Sequence, residues 1–234
     1  MTRPGVTAYD VADHYDEAYF ADLVARYRTR NRFARRRIAN VFSLLPRTLA
    51  GRRLLDLGCG MGTFAVEAAK RGAHAVGVDP APAALGAARA VAVAEQAGAT
   101  FIRADAALLP VASDSCDVVL AADLTEHLDD DTLARVLREA VRVLRTGGSL
   151  VLYTPEQTHV FERLRERGML DPDPSHIGVR SAVELAAAAR AAGFVVERTA
   201  WLPSHLPGWN LLERVLAPWV PLLRRRIGLV ARRP

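Results

Sequence analysis

A chain of 234 residues is long enough for one sizeable α/β domain with appendages and too short for two full enzymes. Half of the residues are hydrophobic and 24% are charged; no run of about 18 apolar residues free of charge occurs, so a spanning helix is not expected. The formal net charge of +5 would suit an acidic partner, but Lys70 is the one lysine among 31 basic residues, a bias that a GC-rich genome produces without any ligand.

Along the chain, residues 8–45 read as one or two helices, with Tyr19, Leu23, Tyr27, Ile38, Val41 and Leu45 at roughly helical spacing. They contain the basic stretch RYRTRNRFARRR, 26–37, and residues 1–48 are read as a helical cap on a domain of 49–234. Strands and helices then alternate: strand 52–57, helix 62–71, strand 73–79, helix 82–97, strand 100–105, strand 116–123, helix 130–144, a Gly147-Gly148 turn and strand 149–155. Regularity lapses through 155–178, read as a lid, before helix 181–192 and a strand beginning at Phe194. A second irregular segment, 202–225, precedes a last alternating strand from Arg226. Repeated βαβ units and two late strands imply an α/β fold. The expected architecture is a doubly wound Rossmann-like sheet of seven strands with an antiparallel last strand, helices on both faces and a ligand at the switch point. The N-terminus lacks a signal peptide's apolar core, and Cys59 and Cys116 fall in segments expected to be buried, so a reducing cytoplasm is the expected compartment.

The stretch LLDLGCGMGTF, 54–64, runs an apolar strand into a tight turn and then a helix. Gly58, Gly60 and Gly62 let the backbone approach a ligand closely, while the helix aims free N–H groups at it. The spacing is G-x-G-x-G and Thr63 stands where a dinucleotide fingerprint wants a small residue, which tilts against a dehydrogenase. Asp56 precedes the turn, Asp79 ends the second strand in GVDP, and Asp105 ends the third in IRAD. Asp79 can take both hydroxyls of a ribose and Asp105 an exocyclic amine, so a nucleoside that carries an amino acid fits the set.

Together, LLDLGCGMGTF, GVDP, RADAALLP, DVVLAADLTEHL and RVLRTGGSLVLYTP resemble the class I S-adenosylmethionine-dependent methyltransferases over roughly 50–155. The resemblance implies S-adenosylmethionine as cofactor. Asp56 with Gly58, Cys59 and Gly60 would flank its methionine moiety, Asp79 and Pro80 its ribose, and Asp105 with Ala106 its adenine.

Methyl transfer from a sulfonium is an in-line displacement, so a base is needed where the nucleophile carries a proton. The loop AADLTEHLDD after the fourth strand supplies His127 and Glu126 as catalytic candidates, with Asp123 on the cofactor side. Asp123-x-x-Glu126-His127 also resembles the acid-x-x-Glu-His stretch that ubiquinone-biosynthesis O-methyltransferases associate with a divalent metal. The spacing is not a stringent metal motif, and no metal is assigned. His176, Tyr15 and Trp209 are candidates for acceptor contact, with Tyr19, His159 and His205 behind them.

The expected activity is methyl transfer to oxygen or nitrogen of a small, largely apolar acceptor. RNA or protein methylation is the alternative that the basic stretch motivates, although only Tyr27 and Phe33 could stack on bases there and no NPPY-like motif follows the fourth strand. A non-catalytic cofactor-binding scaffold is a second alternative. Segment 202–226, with Trp209, Trp219, Leu211, Leu212, Val215, Leu216 and Arg224 to Arg226, is expected to cap an acceptor pocket, with transient contact to an anionic membrane as its other possible use.

Overall fold

The computed structural model describes residues 17–171, 175–204, 206 and 208–234. Tyr15 and His205 lie outside the described residues. The chain opens on two helices, α1 (Glu17–Arg28) and α2 (Arg32–Phe42). Between them Arg30 adopts a left-handed backbone, and the Asn31 side chain accepts from the Ala34 N–H to cap α2.

The core follows as β1 (Arg53–Leu57), α3 (Thr63–Ala69), β2 (His74–Asp79), α4 (Pro82–Ala94), β3 (Thr100–Arg103), β4 (Cys116–Ala122), α5 (Asp130–Val143) and β5 (Leu144–Pro155). It closes with α6 (Val160–Glu166), α7 (Ala182–Ala191), β6 (Val195–Leu202), α8 (Trp209–Leu216) and β7 (Arg226–Arg232). Local chemistry sets several starts. Asp129 caps α5 by accepting from the Thr132 N–H, Ser181 and Glu184 form a capping box on α7, and Pro82 occupies the first turn of α4.

The seven strands form one sheet in the order β3-β2-β1-β4-β5-β7-β6. β7 runs antiparallel to both neighbours, and the pairs among β1 to β5 are parallel. The last strand therefore enters the sheet one place in from the edge. β4 lies centrally and is buried at every position, which is why CDVVLAA reads as a continuous apolar run broken by one acid. Alternation along the strands sorts side chains to two faces. Leu54, Val118, Leu120 and Val151 pack with α1 to α4, whereas Leu55, Leu57, Val119 and Leu152 pack with α5 and α7. Leu133, Val136 and Leu137 of α5 are buried on that second face, where each side chain contributes about 1.5–3 kcal/mol.

One expectation changes. Gly147 and Gly148 do not precede β5 but form an insertion within it, with Cys116 opposite Leu144 and Val118 opposite Ser149. Segment 202–225 leaves much of its apolar surface open, the outer face of α8 above all. Leu211, Leu212, Val215 and Trp219 are exposed, and among the residues of α8 Glu213 is the buried one. Segment 155–178 contains α6, whose N-terminus is capped by the buried His159 through Phe161 N. Burial and the nearby Arg225 lower the His159 imidazole to about 4, so it serves as a neutral cap. No helix among the described residues is long and apolar enough to cross a membrane.

Candidate active site

β1, β2, β3 and β4 run parallel, so their C-terminal ends share one edge of the sheet. The glycine turn follows β1 at that edge, with Gly58 at φ +62 and Gly60 at φ +52, where a Cβ would strain the backbone. A Cβ on Gly58 would stand 2.8 Å from Leu124 Cδ1, so the turn packs directly against the loop after β4. Phe20 of α1 covers the other side and would lie 3.7 Å from a Cβ on Gly60.

Asp79 ties the turn to the end of β2. One carboxylate oxygen accepts from Gly60 N and the other from Ala81 N, both at 2.9 Å. Each oxygen keeps a second acceptor position, which is what a pair of ribose hydroxyls needs. Burial raises the Asp79 pKa, and burial also pushes Asp56 up to about 7, although Asp56 accepts from Ala65 N at 3.2 Å. Asp105 stays exposed, with one oxygen accepting from Ala107 N at 2.8 Å, and Ala106 beside it is buried. Pro80 is exposed and its carbonyl accepts from Arg103 Nε. Cys59 is buried, and a Cβ on Gly77 would meet its sulfur at 2.8 Å. Burial raises its thiol pKa, so its part is packing beneath the turn. Strand-end carboxylates at Asp56, Asp79 and Asp105, with acceptor positions left on Asp79, fit S-adenosylmethionine.

The loop after β4 forms a 3-10 turn over Thr125–His127. His127 Nδ1 lies 2.9 Å from the Ser175 carbonyl oxygen, which can only accept, so Nδ1 carries the proton and Nε2 is the basic nitrogen. The His176 ring meets His127 edge to face, with centroids 5.2 Å apart. Glu126 is 1% exposed and accepts from the Thr154 hydroxyl at 3.0 Å. Its carboxyl is pushed up to about 7 by burial and by the neighbouring charge of Asp123. Glu126, His127 and His176 can each place one ligand atom within 4.8 Å of the others, a set that could hold a metal ion.

Asp123 stands apart from that trio. It adopts φ +55, and its two oxygens accept from Arg37 Nε at 2.5 Å and Arg226 Nη1 at 2.6 Å. Burial alone would raise its carboxyl, and the two arginines outweigh it and hold the pKa below the ordinary value. The sequence thus brings together Glu126, His127 and His176, while Asp123 becomes the hub between α2 and β7. Trp209 lies on the half-exposed α8.

Three arginines escape sequence reasoning. Arg37 and Arg226 sit inside basic runs whose members look alike, and no spacing links positions so far apart. Arg180 is 9% exposed and donates to the carbonyls of Thr125, Leu128 and Gly178 and to Asp130, which pins the His127 loop. A planar guanidinium with five donors suits such a cluster of carbonyls.

Comparison with known proteins agrees with this geometry. Residues 24–199 match the family described as Methyltransferase domain. The chain belongs to that family. It is 43% identical over 105 residues to an uncharacterized methyltransferase of Mycobacterium sp. (strain JLS), a match covering 45% of this chain and 39% of that protein. A similar protein of Mycobacterium avium (strain 104) is 41% identical over 103 residues, 44% of this chain and 39% of its own. The chain thus spans about two fifths of the length of the curated relatives it matches. Among solved structures, an S-adenosylmethionine-dependent methyltransferase of Thermotoga maritima, a possible histamine N-methyltransferase, aligns at TM-score 0.67 with 22% identity over 94% of this chain and 99% of that one. Magnesium protoporphyrin IX methyltransferase from Synechocystis PCC 6803 with bound SAH aligns at 0.62 with 18% identity over 99% and 90%. At such identities these likenesses establish the fold.

Proposed function

We propose that the chain transfers a methyl group from S-adenosylmethionine to an oxygen or nitrogen of a small, largely apolar acceptor. The observation that carries this reading is the orientation of His127, whose Nδ1 is tied to Ser175 so that Nε2 is the basic nitrogen, in a loop that packs on the glycine turn. When bound, the cofactor supplies an electrophilic methyl on a sulfonium. Asp56, Asp79 and Asp105 would hold its amino acid, ribose and base ends in that order. His127 would take the proton from the acceptor, with Glu126 buried beside it against Thr154. Phe20 and Leu124 would keep water from the turn on either side.

A small acceptor is favoured over a nucleic acid by what the basic stretch does. Arg30 pairs with Glu67 and Arg37 with Asp123, so these two charges tie the N-terminal helices to the core rather than face a polyanion. In this reading 1–48 is the cap, and 155–178 with 202–225 border the acceptor space. The test is mass spectrometry of the chain incubated with S-adenosylmethionine and a panel of small aromatic and lipid-like phenols, acids and amines. Methylated products confined to bulk RNA or protein substrates would contradict the reading.

A further inference from the structure

Resting on that reading, we infer that the acceptor carries an oxyanion, a carboxylate or a phosphate, received in a basic recess beside Asp123. The recess opens between α2, the C-terminal end of β5, the residues after β6 and the start of β7. It lies on the β5–β7 side of Asp123, whereas the glycine turn lies on the β1 side. Its lining includes Arg36, Arg37, Tyr153, Ser204, Arg225 and Arg226.

The charges around it do not balance. Arg37 and Arg226 share the single carboxylate of Asp123. Arg36 and Arg225 have no carboxylate partner within salt-bridge distance among the described residues. Arg225 is half-buried and rests over the Phe161 ring at 5.2 Å, a contact that leaves its donor edge unused. Burial and the adjacent Arg226 lower its pKa, and the nearby Glu213 and Glu162 carboxylates offset this only in part. A concave surface with this excess positive charge concentrates small anions.

Two hydroxyls add direction. Tyr153, 3% exposed, accepts from Asn40 Nδ2 at 3.3 Å, and Ser204, 4% exposed, accepts from Leu206 N at 3.3 Å. Neither hydroxyl proton has an acceptor among the described residues, and a buried O–H is seldom left so. An oxyanion in the recess would accept from both and take the forked donors of Arg36 and Arg225. Asn40 also donates to the Pro203 carbonyl at 2.9 Å and so fixes the wall that carries Ser204. Phe33 lines the same recess and offers an apolar surface to the rest of the molecule. The acceptor is thus an apolar acid rather than a neutral ring or chain.

The test is calorimetric titration of the full chain with benzoate, phenyl phosphate, benzamide and inorganic phosphate, and of the Arg36→Gln, Arg225→Gln double variant with the same probes. Saturable binding of benzoate or phenyl phosphate is expected, with benzamide weaker by about tenfold or more and the double variant weakened by a similar factor. The benzoate and benzamide comparison uses wild-type protein alone, so it decides even if the variant fails to fold. The inference is overturned if neither organic anion binds saturably, if benzamide binds as well, if the folded double variant binds unchanged, or if inorganic phosphate matches phenyl phosphate and marks a general ion site. S-adenosylmethionine titrated into the same samples separates the two claims: its failure to bind wild-type chain would sink the methyltransferase reading while leaving the anion result standing.

Discussion

Two acids three residues apart in the loop after β4 have opposite fates. Asp123 is clamped by Arg37 and Arg226 and stays ionised, while Glu126, with Arg226 no nearer than 3.9 Å, has its carboxyl raised to about 7 by burial and by the charge of Asp123. Its ordinary value is 4.5. Between those values the folded chain holds a proton that the unfolded chain gives up, so the contribution of Glu126 to stability falls as pH rises through the window. Glu126→Gln cannot titrate, and its melting temperature relative to wild type is expected to rise from about pH 5 to about pH 7.5. A difference that does not vary with pH would contradict the assignment. His127→Ala is expected to keep cofactor affinity and lose roughly 100-fold or more in turnover, measured as initial rate on an acceptor found by the panel. Turnover retained by wild type after exhaustive chelation fits the base; loss restored by a divalent ion would make His127, Glu126 and His176 metal ligands instead. Glu126 and His127 were legible because both are chemistry-bearing types next to a strand end. The approach of His176 was not, since it depends on how a loop about 50 residues later folds back.

Elements were legible where one physical signal dominated. The parallel strands are buried on both faces and read as apolar runs, and the glycine turn announces itself because few residues tolerate its backbone. Gly77 belongs to the same device from below: its missing Cβ makes room for Cys59 Sγ and the Phe101 ring, both 2.8 Å away from where that carbon would lie. Gly77→Ala is therefore expected to cost about 1–3 kcal/mol in denaturant unfolding through overpacking and to weaken cofactor binding by shifting the turn. Stability within about 0.5 kcal/mol of wild type would show that the turn gives way freely. What α8 packs against was not legible, for an equally physical reason. Leucines and tryptophans at helical spacing imply burial somewhere, but sequence does not say against what, and here the face of Leu211, Leu212 and Val215 meets solvent.

For the whole molecule, βαβ alternation was enough to expect a doubly wound sheet, and the two late strands at the end of the chain pointed to an antiparallel last strand. The cap was legible only as helices. What joins it to the core is a buried network in which Glu67 takes the Tyr27 hydroxyl at 2.8 Å and pairs with Arg30 and Arg71, contacts between positions no local pattern connects. Burial alone would raise Glu67, but these partners outweigh it and hold the carboxyl at about 2, against an ordinary 4.5. Its contribution to stability is present above 4.5 and lost as pH falls through about 2, so acid is expected to loosen the cap, with Glu67→Gln melting less acid-sensitively than wild type between those values. Equal acid sensitivity would remove Glu67 from that role.

The account stands on cofactor binding at the ends of β1 and β2. Isothermal titration of S-adenosylmethionine into the full chain and into Asp79→Ala is expected to give saturable binding to the wild type. In the folded variant it should be weaker by about 1–3 kcal/mol, the range for leaving bonded hydroxyls unpaired. No saturable heat with the wild type, or equal affinity in the variant, would contradict it.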